Sequence, residues 1–367
     1  MGRQALILAA LAADAVPGKN FRHFQKPEGQ TDLELLRLWD DRGGSYELKA
    51  PASPDGEREL ATEFSVLKVL RNFSSELPFE IPELLGQTTD ADGIRISVFT
   101  LLGGSEPDLT KFGPGAFSKS FAHALAALHS LENAKVVEAG LPDYAATQIL
   151  HNKVTELDRI ADTGRVPSAL LQRWEQALED VGLFRFHPTI THGDISQESV
   201  LVEAQSLTGL TNWSSLSVSD PAEDFRWLIG AALQSTAEDT ILNYRALRPQ
   251  ADENIAQRAV LYSELELGSW LAHCVEEGDP ARIAQAEDLI EDLRTQLEAG
   301  SLRDIRASSF IGLNTISIPN QTPTQAVLAQ EEPAAWNSEA EPSEALIADA
   351  ELSDSESKTD PKSDELF

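Results

Sequence analysis

The stretch TDLELLRLWDDRGGSYELKAP, residues 31–51, alternates apolar and polar side chains on both sides of Asp41-Arg42-Gly43-Gly44. Side chains of a strand point to opposite faces in turn, and a glycine-rich turn reverses the chain, so this segment predicts an antiparallel hairpin. Its strands are expected over Leu33–Trp39 and Tyr46–Ala50. Residues 57–73 then carry Leu60, Phe64, Leu67 and Leu70 at the spacing of one helical face. IPELLGQ and IRISVFTLLGG, the latter over 94–104, read as further strands. Residues 22–102 therefore predict a mostly antiparallel sheet with one inserted helix.

Beyond residue 115 the pattern changes to helical periodicity, over 117–132, 168–182, 222–247 and 254–298, with only short strand-like pieces such as SVLVEA between. The fold class this predicts is α+β, with a sheet lobe and its leading helix over 1–104 and a larger, mainly helical lobe over 105–305. An acidic tail is expected over 306–367; its last part, from 321, holds 12 acidic residues against two lysines. Such a segment buries too little apolar surface to offset chain entropy and is expected to be disordered, although Trp336, Leu346 and Ile347 offer a protein partner something to grip. The opening MGRQALILAALAADAVPG has one positive charge, Arg3, and Asp14 interrupts its apolar run, so it predicts a helix leading into the first domain rather than a secretion signal.

Composition removes several classes of function. With 60 acidic against 29 basic residues the formal net charge is −31, which repels a phosphate backbone, so nucleic acid is not an expected partner. Cys274 is the only cysteine, which rules out an intrachain disulfide and a cysteine zinc cluster and suits a reducing, cytoplasmic setting. No stretch approaches the 18 consecutive apolar residues of a membrane span. His123 and His129, six apart, do not share the face that a metal pair needs and are expected to pack or to lie at the surface. GPGAFSKS, 113–120, misses the phosphate-loop pattern, with Ser118 at its second glycine.

The chemistry concentrates elsewhere. In THGDISQESVLV, 191–202, an apolar strand runs into His192-Gly193-Asp194 and a second apolar strand leaves it. That context projects Asp194 from a rigid strand end, where a carboxylate can orient a hydroxyl and accept its proton, with His192 supporting the loop. Lys49, in YELKAP, ends the second hairpin strand, where its ammonium can reach nucleotide phosphates; Glu63, on the following helix, can pair with it. Downstream, LTGLTNWSSLSVSDPAEDFRWL repeats the strand-then-turn pattern, with Asp220 as a helix cap and Asp224 as a structural anchor.

Lys49, Glu63, His192-Gly193-Asp194 and SDPAEDFRWL together resemble the aminoglycoside and macrolide phosphotransferase family, over about residues 5–300. The resemblance implies a protein-kinase-like two-lobed fold and transfer of phosphate from ATP or GTP, with magnesium, to a hydroxyl of a small molecule such as an antibiotic, amino sugar or metabolite. Carried over by position, Asp194 is the catalytic aspartate, Ser199 stands at the metal-binding Asn and Asn212 at the metal-binding Asp. Both metal positions depart from the family pattern, and the anionic charge opposite the metal is lost. The alternative is therefore a pseudokinase, which binds a nucleotide or a partner protein without efficient transfer.

Overall fold

The computed structural model describes residues 3–27 and 32–306; the expected acidic tail, from residue 307 on, lies outside the described residues. Helix α1 (Ala5–Ala15) leads into strands β1 (Phe21–Gln25), β2 (Leu33–Asp40) and β3 (Ser45–Pro51), followed by helix α2 (Pro54–Leu70) and strands β4 (Leu84–Thr89) and β5 (Arg95–Thr100). The five strands form one antiparallel sheet in the order β1-β2-β3-β5-β4. The predicted hairpin is β2–β3, with Leu35 opposite Lys49 and Arg37 opposite Glu47. Asp40 closes its turn by accepting from the N–H groups of Arg42 and Gly44 at 2.9 and 2.7 Å.

Strand alternation gives the sheet two faces with different partners. Leu36, Leu38, Leu48 and Val98 turn to Leu8 and Ala12 of α1, forming a core of their own. Lys49 and Glu47, with Ser97 and Phe99 opposite them on β5, occupy the other face. Helix α2 starts where Ser53 caps it, accepting from Gly56 N–H at 3.1 Å, with Pro54 in the first turn. Its first turn lies so close to β2 that a side chain at Gly56 would meet the Asp32 carbonyl at 2.0 Å. The buried stripe of α2 is Leu60, Glu63, Val66, Leu67 and Leu70, while Phe64, expected on that face, is 36% exposed. Glu63 thus sits among apolar residues, and the stripe continues through Phe73 and Phe79 into the core of the helical lobe.

That lobe comprises α3 (Ala116–Leu128), α4 (Asn133–Glu138), α5 (Ala146–Asp162) and α6 (Ser168–Glu179), then four short strands, β6 (Thr189–Thr191), β7 (Val200–Glu203), β8 (Ser206–Leu210) and β9 (Ser217–Ser219). Strand β6 pairs with β9 and β7 with β8. Helices α7 (Arg226–Ala231), α8 (Gln234–Leu247), α9 (Ile255–Glu277) and α10 (Pro280–Glu298) complete it. The helical stretch expected over 254–298 is two helices because Gly278 leaves α9 in the left-handed region and Asp279-Pro280 starts α10. The whole is an α+β, protein-kinase-like two-lobed fold. No described helix is long and apolar enough to cross a membrane.

Candidate active site

The first half of the site is an ion pair inside the sheet lobe. Lys49 Nζ donates to both carboxylate oxygens of Glu63 at 2.8 Å, and both side chains are 3% exposed. Burial by itself pushes an ammonium toward neutrality; the carboxylates of Glu63 and Glu47 more than reverse this, so the pKa of Lys49 is raised and it is held charged. The Phe99 ring lies 5.5 Å from the ammonium.

The second half is built from strand ends. Where β6 ends, His192 Nε2 donates to the Thr211 carbonyl at 2.8 Å, and its Nδ1 accepts from Asp194 N–H at 3.3 Å, so the ring ties the loop to the end of β8. Trp213 packs on it with ring centres 4.5 Å apart. Gly193 has φ +83°, and a side chain there would meet the Ser215 carbonyl at 2.5 Å, so only glycine fits the turn. Asp224, fully buried, accepts from His192 N–H at 2.9 Å and Gly193 N–H at 2.8 Å.

Behind Asp224 runs a buried chain of hydrogen bonds. Arg248 donates to Tyr244 Oη at 2.7 Å, Tyr244 lies 2.7 Å from His129 Nδ1, and His129 Nε2 lies 3.0 Å from Asp224 Oδ2. Burial lowers the pKa of His129 and makes it a neutral ring that donates through Nε2. Burial alone would raise the Asp224 carboxyl, but His129, His192 and the Gly193 N–H outweigh it and lower its pKa. Asp220 both caps the 3₁₀ turn Pro221–Phe225 and accepts from Arg258 at 2.6 and 3.0 Å and from Tyr262 at 2.6 Å. Asp220 and Asp224 are thus the cap and the anchor that the sequence predicts.

Asp194 itself is open, 63% exposed, with Oδ1 accepting from Arg226 at 3.0 Å. It is electrically linked to the sheet lobe through Glu59, one turn before Glu63 on α2. The pKa of Glu59 is raised by burial first, then by the charges of Glu63, Asp32 and Asp194, against the opposing pull of Lys49. A separate cavity of about 610 Å³, lined by Phe64, Leu67, Phe79, Ile81, Leu84 and Leu102 among others, contains none of these residues.

The two expected metal positions are brought to the same strand ends, since Thr211 N–H donates to the Ser199 carbonyl at 2.9 Å. Their donor atoms do not match the expectation. Ser199 is fully buried, and its hydroxyl accepts from Ser196 N–H at 2.8 Å while donating to the Ser196 carbonyl at 3.1 Å. Asn212 is exposed and sits at φ 62°, ψ 55°, a left-handed position that favours Asn or Asp on backbone grounds and here presents a neutral amide. Asp220 is sealed behind Arg258 and Tyr262. Among the described residues, no three His, Cys, Asp or Glu are grouped to hold a metal ion. With a hydroxyl turned into its own loop at Ser199 and an uncharged amide at Asn212, these two side chains do not fit a resident magnesium ion. Near the start of the sheet, Phe21–Gln25 is β1 and residues 28–31 lie outside the described residues.

Sequence reasoning missed Arg226 and treated His129 as packing. Neither has a local signal, since Arg226 is 32 residues from Asp194 and His129 is 95 from Asp224.

Residues 24–260 match the model of the Phosphotransferase enzyme family. The chain belongs to this family. Its relatives include the uncharacterized protein YcbJ of Bacillus subtilis (strain 168), 23% identical over 210 residues, which are 55% of this chain and 68% of that one. Among solved structures, macrolide 2'-phosphotransferase MphH from Brachybacterium faecium, an apoenzyme, is 21% identical with a TM-score of 0.66, covering 77% of this chain and 97% of its own. APH(2")-IIia, solved in complex with GDP and kanamycin, is 16% identical with a TM-score of 0.66, covering 79% and 99%. At these identities the likeness establishes the fold that the phosphotransferase family shares.

Proposed function

We propose that the protein transfers the terminal phosphoryl group of ATP or GTP to a hydroxyl of a small molecule. The observation that carries this reading is the buried Lys49–Glu63 pair together with an Asp194 loop whose backbone is fixed by Asp224. In it, Lys49 grips the nucleotide phosphates and Glu63 fixes the direction of its ammonium. The acceptor oxygen forms a new bond to phosphorus as the bond to the leaving nucleoside diphosphate breaks, and its proton passes to the Asp194 carboxylate. His192 holds the loop. Macrolides and aminoglycosides are the first acceptors to try, because the solved relatives named above act on or bind them. Magnesium, where bound, lends charge to a transferring phosphate; at Ser199 and Asn212 this chain has no carboxylate with which to hold it, and the roles above rest on the chain's own side chains. The reading sets the activity in the cytoplasm, where nucleoside triphosphates are supplied, without nucleic acid as partner.

The neutral metal positions favour a second reading, a pseudokinase that binds a nucleotide or a partner protein, the acidic tail being one possible grip. Transfer of labelled γ-phosphate from ATP and GTP to a panel of macrolides and aminoglycosides separates the two. The first reading expects transfer that falls at least about 100-fold in Asp194→Asn. Nucleotide binding, seen as thermal stabilisation, with no transfer to any acceptor or to water supports the second; transfer unchanged in Asp194→Asn sinks the assignment of the base.

A further inference from the structure

The loop that carries Asp194 is mounted on one short segment, Asp220–Arg226. Asp220 ties the segment to α9 through Arg258 and Tyr262. Four residues on, Asp224 fixes the loop's backbone at His192 and Gly193. Two residues further, Arg226 reaches the functional carboxylate, with Nη2 at 3.0 Å from Asp194 Oδ1. Its guanidinium is only 16% exposed; Nη1 donates to Glu223 at 3.4 Å, and Nε lies 3.1 Å from a Glu266 oxygen as an ion pair without a hydrogen bond. Glu223 is itself held by Lys153 at 3.1 Å. Arg226 is thus fixed from several sides, whereas Asp194 is mostly open, and Oδ2 of Asp194 has no side-chain partner among the described residues.

We propose that Arg226 is a positioning residue for Asp194: it holds Oδ1 in a fixed place and leaves Oδ2 as the oxygen that meets the acceptor hydroxyl. The proposal rests on the phosphotransferase reading above. A planar guanidinium fixes direction as well as charge, which an ammonium does less well. The need for such a cation is visible in the surroundings. Burial raises the pKa of Glu266, Arg226 opposes this, and the charges of Asp194 and Glu223 raise it further, so three carboxylates crowd round one guanidinium.

Two measurements on the full chain decide the matter. Carboxyl labelling with a carbodiimide and glycine ethyl ester, read by mass spectrometry, tests the pair in solution. Arg226→Ala should raise labelling of Asp194 about threefold or more while leaving exposed Glu198 unchanged, and Arg226→Lys should label like wild type. Unchanged Asp194 labelling in Arg226→Ala overturns the proposal whatever the activity. Phosphoryl transfer to the acceptor identified by the panel then tests the role. Arg226→Ala should lower kcat by about tenfold to 100-fold with the nucleotide KM within about twofold, and Arg226→Lys should recover to within about fivefold of wild type. Equal kcat in wild type and Arg226→Ala overturns the positioning role while leaving the functional reading intact. A wild type that transfers nothing removes that reading and the inference with it. Should Arg226→Ala fail to fold, Arg226→Lys and Arg226→Gln carry both measurements, a wild-type kcat in Arg226→Gln again overturning the role.

Discussion

The two ion pairs of the candidate site are built in opposite ways. Lys49 and Glu63 are both 3% exposed, and the pair fixes a strand to a helix inside the sheet lobe. Arg226 and Asp194 are 16% and 63% exposed, so one partner is fixed and the other is presented to solvent. A sealed pair has one geometry and a large cost if either partner is lost, because the other charge stays buried. An open pair adds little to stability, since water replaces the lost contact. The contrast assigns stability to the Lys49–Glu63 half and access to the Asp194 half.

The strongest way to break the comparison is Glu63→Ala. It strands the Lys49 ammonium and should destabilise the protein by about 3–5 kcal/mol in urea unfolding. Replacing both partners, Lys49→Met with Glu63→Leu, should restore most of that stability while nucleotide-induced stabilisation stays lost. A double variant as unstable as Glu63→Ala would mean that the pair is not what the site is built round.

Next in size is Gly193→Ala, which displaces the open carboxylate by way of its backbone. The left-handed φ of +83° and the 2.5 Å approach to the Ser215 carbonyl predict a loss of about 1–3 kcal/mol, read by thermal unfolding. A neutral result would show that the turn relaxes freely.

Acid should weaken the mount of the open half. The folded pKa of His129 is depressed below the ordinary 6.5, so as pH falls through 6.5 the unfolded chain takes up a proton that the native ring does not, and stability declines from there downward. Asp224 has a carboxyl depressed below 3.8, so its contribution is present above 3.8 and is lost as pH falls further through the folded value. Urea midpoints compared between pH 7.5 and 5.5 should therefore fall, and fall less in His129→Gln. An identical decline in both proteins would assign the effect to other histidines.

The smallest effect is the gain from restoring charge to the open side. Ser199→Asn with Asn212→Asp should tighten magnesium binding to the nucleotide-loaded protein by about tenfold, or ~1.4 kcal/mol, in a calorimetric titration. No gain would mean that other oxygens hold the ion or that none binds.

Much of this site was legible because its signals are local. Hairpin alternation located Lys49, helical spacing located Glu63, and a strand running into His192-Gly193-Asp194 located the carboxylate. Asp224 was legible as an anchor because it lies in the turn that follows a strand and leads into a helix, although the groups it anchors lie 31 and 32 residues back. Ser199 shows the limit of position alone. Its place in the loop is fixed by counting from Asp194, but the direction of its hydroxyl is set by the backbone of Ser196, whose N–H donates to it and whose carbonyl accepts from it. The helix expected at the N-terminus is α1, yet nothing in its own residues reveals that it covers the outer face of the sheet with a separate core.

By itself the sequence determined the hairpin and the turn that reverses it, the change from sheet to helical periodicity, and the residue types at the candidate site, because these depend on neighbours a few positions apart; it did not single out α5. Only the tertiary structure decided which charges meet: Lys49 with Glu63 inside, Arg226 with Asp194 outside, and Asp220 taken up by Arg258 and Tyr262. Such pairings are set by how distant surfaces pack and by which side chains packing seals from water, and burial turns the same charges into a rigid strut in one place and an accessible carboxylate in another.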